Sequence, residues 1–350
     1  MKKLLIALGV VSLLLGACSS TSSEPKQTLK VYNWGEYIDT EMIAAFEDKF
    51  NAEVIYETYD SNELMYTKLE GGEKYDILIP TDHMVERLIQ EGKVQALDLS
   101  LIPNMANVFP DLLNRPFDPN NVYSLPYFWG NIGIIYNKNN VDVADLESEG
   151  WNVLKDAKYT DQIYIYDSAR DAFMLAEKAL GYSVNTTDET EIENAFNWLK
   201  EVDQTTHPIY IDETIIDSMI NEQKDMAVDF SGDAAYILSQ NENMGFFVPS
   251  EGTNVWMDNM VIPTDAENVA LAHEWINFML DNEVATNNTI YVGYTSPVIE
   301  AYNTVTSEGG DYYLNPAYSP RMDNANDEVY VYDDALKSIL ADKWTRVKAE

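Results

Sequence analysis

Leu29-Lys30-Val31-Tyr32-Asn33-Trp34-Gly35-Glu36-Tyr37-Ile38-Asp39-Thr40 decides the fold, because a strand ends and a helix begins within these twelve residues. Residues 29–34 alternate and are β-prone. Behind them Asp39-Thr40 offers a helix cap, after which Met42, Ile43, Phe46 and Phe50 recur at helical spacing. The pattern then repeats. Residues 53–59 are β-branched and aromatic, 61–70 read as a helix closed by Gly71-Gly72, 75–80 as a buried strand, and 83–91 as a helix stopped at Gly92. Strand-helix repeats with short turns predict an open α/β sheet, whose ligands sit at the carboxyl ends of the strands. Those ends are Asn33-Trp34-Gly35-Glu36-Tyr37 and Pro80-Thr81-Asp82-His83.

Further along, residues 103–126 are rich in Pro, Asn and Asp and predict a long surface excursion, after which 127–136 returns to strand character as the chain crosses to a second domain. A second α/β series follows: strands at 162–167, 208–212 and 226–230, with helices at 170–180, 189–202, 213–222 and 233–241. Residues 246–263 read as β, with the Trp256-Met257-Asp258 step taking the chain back. Helices are expected at 266–280 and 335–347. A chain of 350 residues exceeds one ordinary core and suits two lobes.

Ahead of the first strand, Lys2 and Lys3 make a basic start. Residues 4–17 make an apolar stretch too short to cross a bilayer, the pattern of a secretory signal over residues 1–17. Cys18 is the only cysteine, and Leu15-Gly16-Ala17-Cys18 resembles the lipobox of bacterial lipoproteins, which implies lipidation of Cys18. Two acyl chains on one residue hold a protein stably at a membrane. Residues 18–28 then serve as lipidated terminus and flexible tether, which places the protein on the outer face of the cell membrane.

The chain carries 59 acidic residues against 22 basic ones, a net charge of −37. Nucleic acid is therefore a poor partner, whereas cations are drawn to an acidic cleft. Enzyme signatures are mostly missing: His83, His207 and His273 stand far apart, and no metalloprotease, Walker or Gly-x-Ser-x-Gly motif occurs. Neither a cofactor nor a metal ion is expected. What the sequence offers is aromatics beside carboxylates: Trp34 with Glu36 and Tyr37, and Trp256 with Asp258. An ammonium presents N–H donors to carboxylates, while aromatic faces attract its charge and pack on the adjoining methylenes.

Six stretches together carry a resemblance: Asn33 to Tyr37, Tyr59 to Tyr66, Arg115 to Asn121, Leu180 to Asp188, Trp256 to Asp258 and Val292 to Tyr294. In order, they are similar to the spermidine/putrescine-binding components of bacterial polyamine ABC transporters. The resemblance implies a type II periplasmic-binding-protein-like fold, two α/β lobes with a ligand cleft and two interlobe crossings. Lobe one would be 29–132 plus 261–302, and lobe two 133–260 plus 303–350. It implies no enzymatic activity, a polyamine ligand, and the permease and ATPase subunits of an ABC transporter as partners.

Carried over residue by residue, Trp34, Gly35, Glu36 and Tyr37 would line the first lobe's side of the cleft, with Thr81, Asp82 and His83 in the next turn. Ser168, Asp171, Asp212, Phe230, Trp256, Asp258 and Tyr294 would complete the set. Several positions depart from the family. Ser168 replaces one of an acidic pair unless Asp167 serves, Phe230 replaces a tryptophan, Gly35 a hydroxyl residue and His83 an aromatic one. A glutamine contact has no clear match near Tyr330. A same-fold receptor for ferric ion or a sugar, drawing on Tyr312-Tyr313 and other tyrosines, is the alternative, and a glycan-acting enzyme a weaker one.

Overall fold

The computed structural model describes residues 26–212, 214–321 and 323–349; Cys18 and the start of the tether lie outside them. Strand β1 (Gln27–Trp34) buries Leu29, Val31 and Tyr32. Asp39 caps the helix Thr40–Phe50 by accepting from the Glu41 amide at 2.9 Å, and Asn51, at φ 48°, ends it in the left-handed region. Strands β2 (Ala52–Tyr59) and β3 (Ile77–Leu78) flank β1 in parallel. The expected strand at 75–80 thus shrinks to two paired residues.

Strand β4 (Ser124–Asn137) runs through both lobes, fourteen residues long and buried everywhere but at Tyr136. Beyond it come β5 (Ile163–Tyr166), β6 (Ile209–Ile211), β7 (Met226–Phe230), β8 (Met244–Phe247) and β9 (Val255–Val261). Residues Ser124 to Asn131 of β4 pair antiparallel with β9, and from Ile132 onward β4 pairs with β7 and β8. The strand order is β2-β1-β3-β9-β4-β7-β5-β6, with β8 also on β4. Because both faces of β4 are covered, its sequence reads as a continuous apolar run and not as an alternation.

Three buried clusters divide along this strand. The first takes buried residues from Leu29 to Trp129 and, Trp256 excepted, from Val255 to Ala301; the second starts at Ile132, includes Trp256 and closes with Tyr330, Leu336, Leu340, Trp344 and Val347. The third joins Ile135 and Ala234 to Val305, Tyr312 and Tyr318. Trp256 and Asp258 lie inside β9, opposite Gly130 and Phe128 of β4; Trp256 packs in the second cluster and its neighbours Val255 and Met257 in the first, so the chain passes between the two cores along β9 itself. Residues 103–126 are no solvent excursion. They form short 3-10 turns that seat Val108, Leu112 and Phe117 in the first core.

Helices Asn282–Val292 and Ile299–Thr306 were not expected. The first hides its period because two residues on its buried face are polar. Asn288 accepts from the Asp39 amide at 2.9 Å and donates to the Tyr127 hydroxyl at 2.9 Å. The second carries the chain from Ala301 in the first cluster to Val305 in the third.

Candidate functional site

The first lobe's wall is built at the carboxyl ends of β1 and β3. Trp34 donates its indole N–H to the Ile79 carbonyl at 2.9 Å and packs on Tyr59 with centroids 4.6 Å apart. Gly35 and Glu36 are exposed, and Glu36, at φ 49°, holds a backbone conformation that non-glycine residues seldom adopt. That turn brings Tyr37 back inward, where its hydroxyl donates to Asp258 Oδ2 at 2.6 Å. Thr81 precedes the helix Asp82–Gln90 and bridges to Asp258 across the sheet. Asp82 is buried; one oxygen accepts from the His83 amide at 2.6 Å, and Oδ2 has no partner among the described residues. His83, partly exposed, holds Nδ1 3.2 Å from Thr81 Oγ1 and 3.4 Å from Asp82 Oδ1.

The second lobe contributes Ser168, which caps the helix Ala169–Ala179 by accepting from the Asp171 amide at 3.4 Å, and Asp171 itself. Phe230, at the end of β7, meets Trp256 edge to face at 6.0 Å. Trp256 lies 5.5 Å from Tyr294, which in turn lies 5.3 Å from Tyr37. The Tyr294 hydroxyl donates to Asp233 Oδ1 at 2.8 Å. This close packing needs glycine at 232, where a Cβ would stand 2.4 Å from the Tyr294 ring.

Charge is scarce in partners here. Burial, with the Asp82 charge adding to it and the Tyr37 hydroxyl opposing it, pushes the Asp258 carboxyl up to about 8, and Asp258 Oδ1 is buried without a partner among the described residues. Burial and then Asp258 push the Tyr37 phenol well above its usual range. Asp171 is likewise raised by burial, against hydrogen bonds from Ser168 and Tyr330. Vacant carboxylate oxygens inside aromatic walls suit a desolvated cation that brings its own N–H donors.

Not every expected residue joins this group. Asp212 stands at the end of the edge strand β6, exposed, its Oδ1 held by the Thr214 amide and hydroxyl. Asp167, the possible stand-in acid, is committed elsewhere: it accepts from Trp344 Nε1 at 2.8 Å and from Lys348 Nζ at 2.6 Å. Tyr312 stacks on Tyr318 at 4.3 Å in the third cluster, away from the cleft aromatics. Sequence reasoning missed Tyr59, Asn131 and Tyr330. Asn131 is fully buried opposite Val255 of β9, one residue on from the Gly130–Trp256 pair, with both amide atoms unpartnered among the described residues. An asparagine inside an otherwise apolar strand was the signal that could have found it.

Two α/β lobes sharing β4, with acids and aromatics turned into the cleft between them, define a cleft-type solute-binding protein of the type II periplasmic-binding fold. The chain belongs to the bacterial extracellular solute-binding protein family, whose model matches residues 41–311. It is 35% identical over 306 residues to the spermidine/putrescine-binding periplasmic protein of Escherichia coli, covering 87% of this chain and 86% of that one. Among solved structures it is similar to the spermidine/putrescine ABC transporter substrate-binding protein of Streptococcus pneumoniae, with 37% identity and a TM-score of 0.81 over 93% of this chain and 99% of that one. The Tp0655 lipoprotein of Treponema pallidum aligns with 25% identity and a TM-score of 0.81, over 93% and 100%.

Proposed function

We propose that this chain is a lipid-anchored receptor that captures polyamines, spermidine or putrescine, in its interlobe cleft and hands them to an ABC permease driven by its ATPase subunits. The observation that carries the reading is the pair of buried oxygens on Asp82 and Asp258 without a partner among the described residues, in a wall that also carries Trp34, Tyr37, Trp256 and Tyr294. An alkyl diammonium supplies what those oxygens lack and lays its methylenes on the rings. Trp34, Phe230 and Trp256 sandwich the methylenes, Asp258 holds an amine near the middle, and Glu36, Asp82 and Asp171 serve the ends. The names of the relatives support the same ligand class.

The lobes are 29–132 plus 261–302 and 133–260 plus 303–350; the buried clusters follow this division on β4, where Trp129 packs in the first and Ile132 in the second, while β9 contributes Val255, Met257 and Met260 to the first and Trp256 to the second. Cys18 carries the anchor and keeps the receptor on the outer face of the membrane, in line with the lipoprotein among its structural relatives. Isothermal titration with putrescine, spermidine and spermine tests the ligand. Micromolar or tighter binding of at least one is expected, and heat from none of the three overturns the reading. Cys18→Ala tests the anchor: the variant should leave the membrane fraction, and retention there in the absence of detergent counts against it.

A further inference from the structure

On the polyamine reading above, we propose that Tyr330 positions Asp171 and sets the length of amine that the cleft accepts. The segment that carries it returns along the crossing to β9. The Glu328 amide donates to the Thr253 carbonyl at 3.0 Å, and the Val255 amide donates to the Glu328 carbonyl at 2.9 Å. Asn185 then grips both neighbours of Tyr330, its Nδ2 donating to the Val329 carbonyl at 2.9 Å and its Oδ1 accepting from the Val331 amide at 2.8 Å. With the backbone clamped on both sides, the side chain between is fixed and buried, only 6% exposed.

What it meets there is the end of the cleft. The Tyr330 hydroxyl donates to Asp171 Oδ1 at 2.8 Å, and the Arg170 guanidinium lies over the ring at 4.5 Å. From the opposite lobe, His83 meets the ring in a T-shaped contact, the planes at 73° and the centroids 6.4 Å apart. Two residues on, the Tyr332 amide donates to Glu86 Oε2 at 2.8 Å, so the same segment spans both lobes.

Two effects follow from these contacts. The hydroxyl, together with Ser168, holds the Asp171 carboxylate in one orientation for an arriving ammonium. The ring, with a fixed cation on its face, stops any chain that reaches past Asp171, because a further ammonium would approach the Arg170 charge. A short diamine ends in time; a longer polyamine has to bend or displace the ring.

The test is calorimetry of the mature protein and its variants with putrescine, spermidine and spermine, with melting temperature as the check on folding. Tyr330→Ala should shift the ratio of spermine to putrescine affinity toward spermine by about tenfold or more, the scale on which a pocket reads added methylenes. Tyr330→Phe keeps the stop and loses the grip on Asp171, so all three affinities should fall by about threefold to tenfold with their ratios kept. If Tyr330→Ala lowers the melting temperature too far to titrate, Tyr330→Leu reads the same ratio. Equal weakening of all three ligands in the shortened variants overturns the length role, and unchanged affinity in Tyr330→Phe overturns the positioning role. Failure of the unmodified protein to bind any of the three is a different result, which overturns the polyamine reading itself.

Discussion

Tyr37 and Asp258 form a half-made pair: the phenol donates to Oδ2 at 2.6 Å, while Oδ1 of the same carboxylate is buried with no partner among the described residues. Asp258→Asn keeps the shape and removes the charge that an ammonium needs. Polyamine affinity should fall by about 30-fold to 1,000-fold, the equivalent of about 2–4 kcal/mol for a desolvated charge pair. Tyr37→Phe should cost far less. Calorimetry decides it, and an Asn variant that binds as well as the unmodified protein removes Asp258 from the centre of the site.

Binding should also move a proton. With its carboxyl raised to about 8 by burial and the neighbouring Asp82 charge, empty Asp258 is mostly protonated at neutral pH, whereas a bound ammonium favours the carboxylate. Binding therefore expels a proton, and affinity rises with pH up to about 8 and then levels, by at most about tenfold per pH unit. Titrations at pH 7 in phosphate and in Tris should give different heats. Identical heats in the two buffers would mean that Asp258 is already ionised in the empty cleft.

Glu177 should make the empty protein less stable as pH rises. It lies buried on the helix Ala169–Ala179, Oε1 is unpartnered among the described residues, and burial raises its carboxyl from 4.5 to about 8. The folded state thus keeps a proton that the unfolded chain gives up. Its contribution is full below the unfolded value and is lost as pH climbs through 8, with a slope of up to about 1.4 kcal/mol per pH unit. Melting temperature should fall from pH 5 to pH 8, and Glu177→Gln should flatten that fall and raise the value at pH 8. A Gln variant that melts lower at pH 8 contradicts this.

Close approach at the lobe junction predicts a steric cost. A Cβ at residue 130 would stand 2.4 Å from Ser231 Oγ and 2.5 Å from the Trp256 ring, and one at residue 232 would meet Tyr294 at 2.4 Å. Gly130→Ala and Gly232→Ala should each destabilise by about 1–3 kcal/mol and weaken ligand binding, since the displaced rings are cleft walls. Denaturant melts and tryptophan fluorescence report both. Wild-type stability in either variant would show that the rings have room to retreat.

Much of the first lobe was legible because its signals are local. Asp39 caps where a cap was expected, and Thr81, just past β3, lies beside Asp258 of β9. What escaped was long-range. Nothing near Tyr330 in sequence announces that it will lie on Asp171, because the contact depends on Asn185 and Thr253 fixing the backbone around it. Asp167 resembled a cleft acid, but the C-terminal helix Asp334–Val347 brings Trp344 against it and claims it. The helix Asn282–Val292 was hidden because Asn288 and Thr289 fill buried positions that periodicity assigns to apolar residues.

The first core needs Leu29 through Trp129 together with Val255 through Ala301, and the second is sealed only by residues up to Val347. Neither core can therefore close before residues far downstream are present, because β4 pairs with β9 only once both strands exist. Such non-local pairings form slowly, and both halves of the molecule wait on segments from the C-terminal part of the chain.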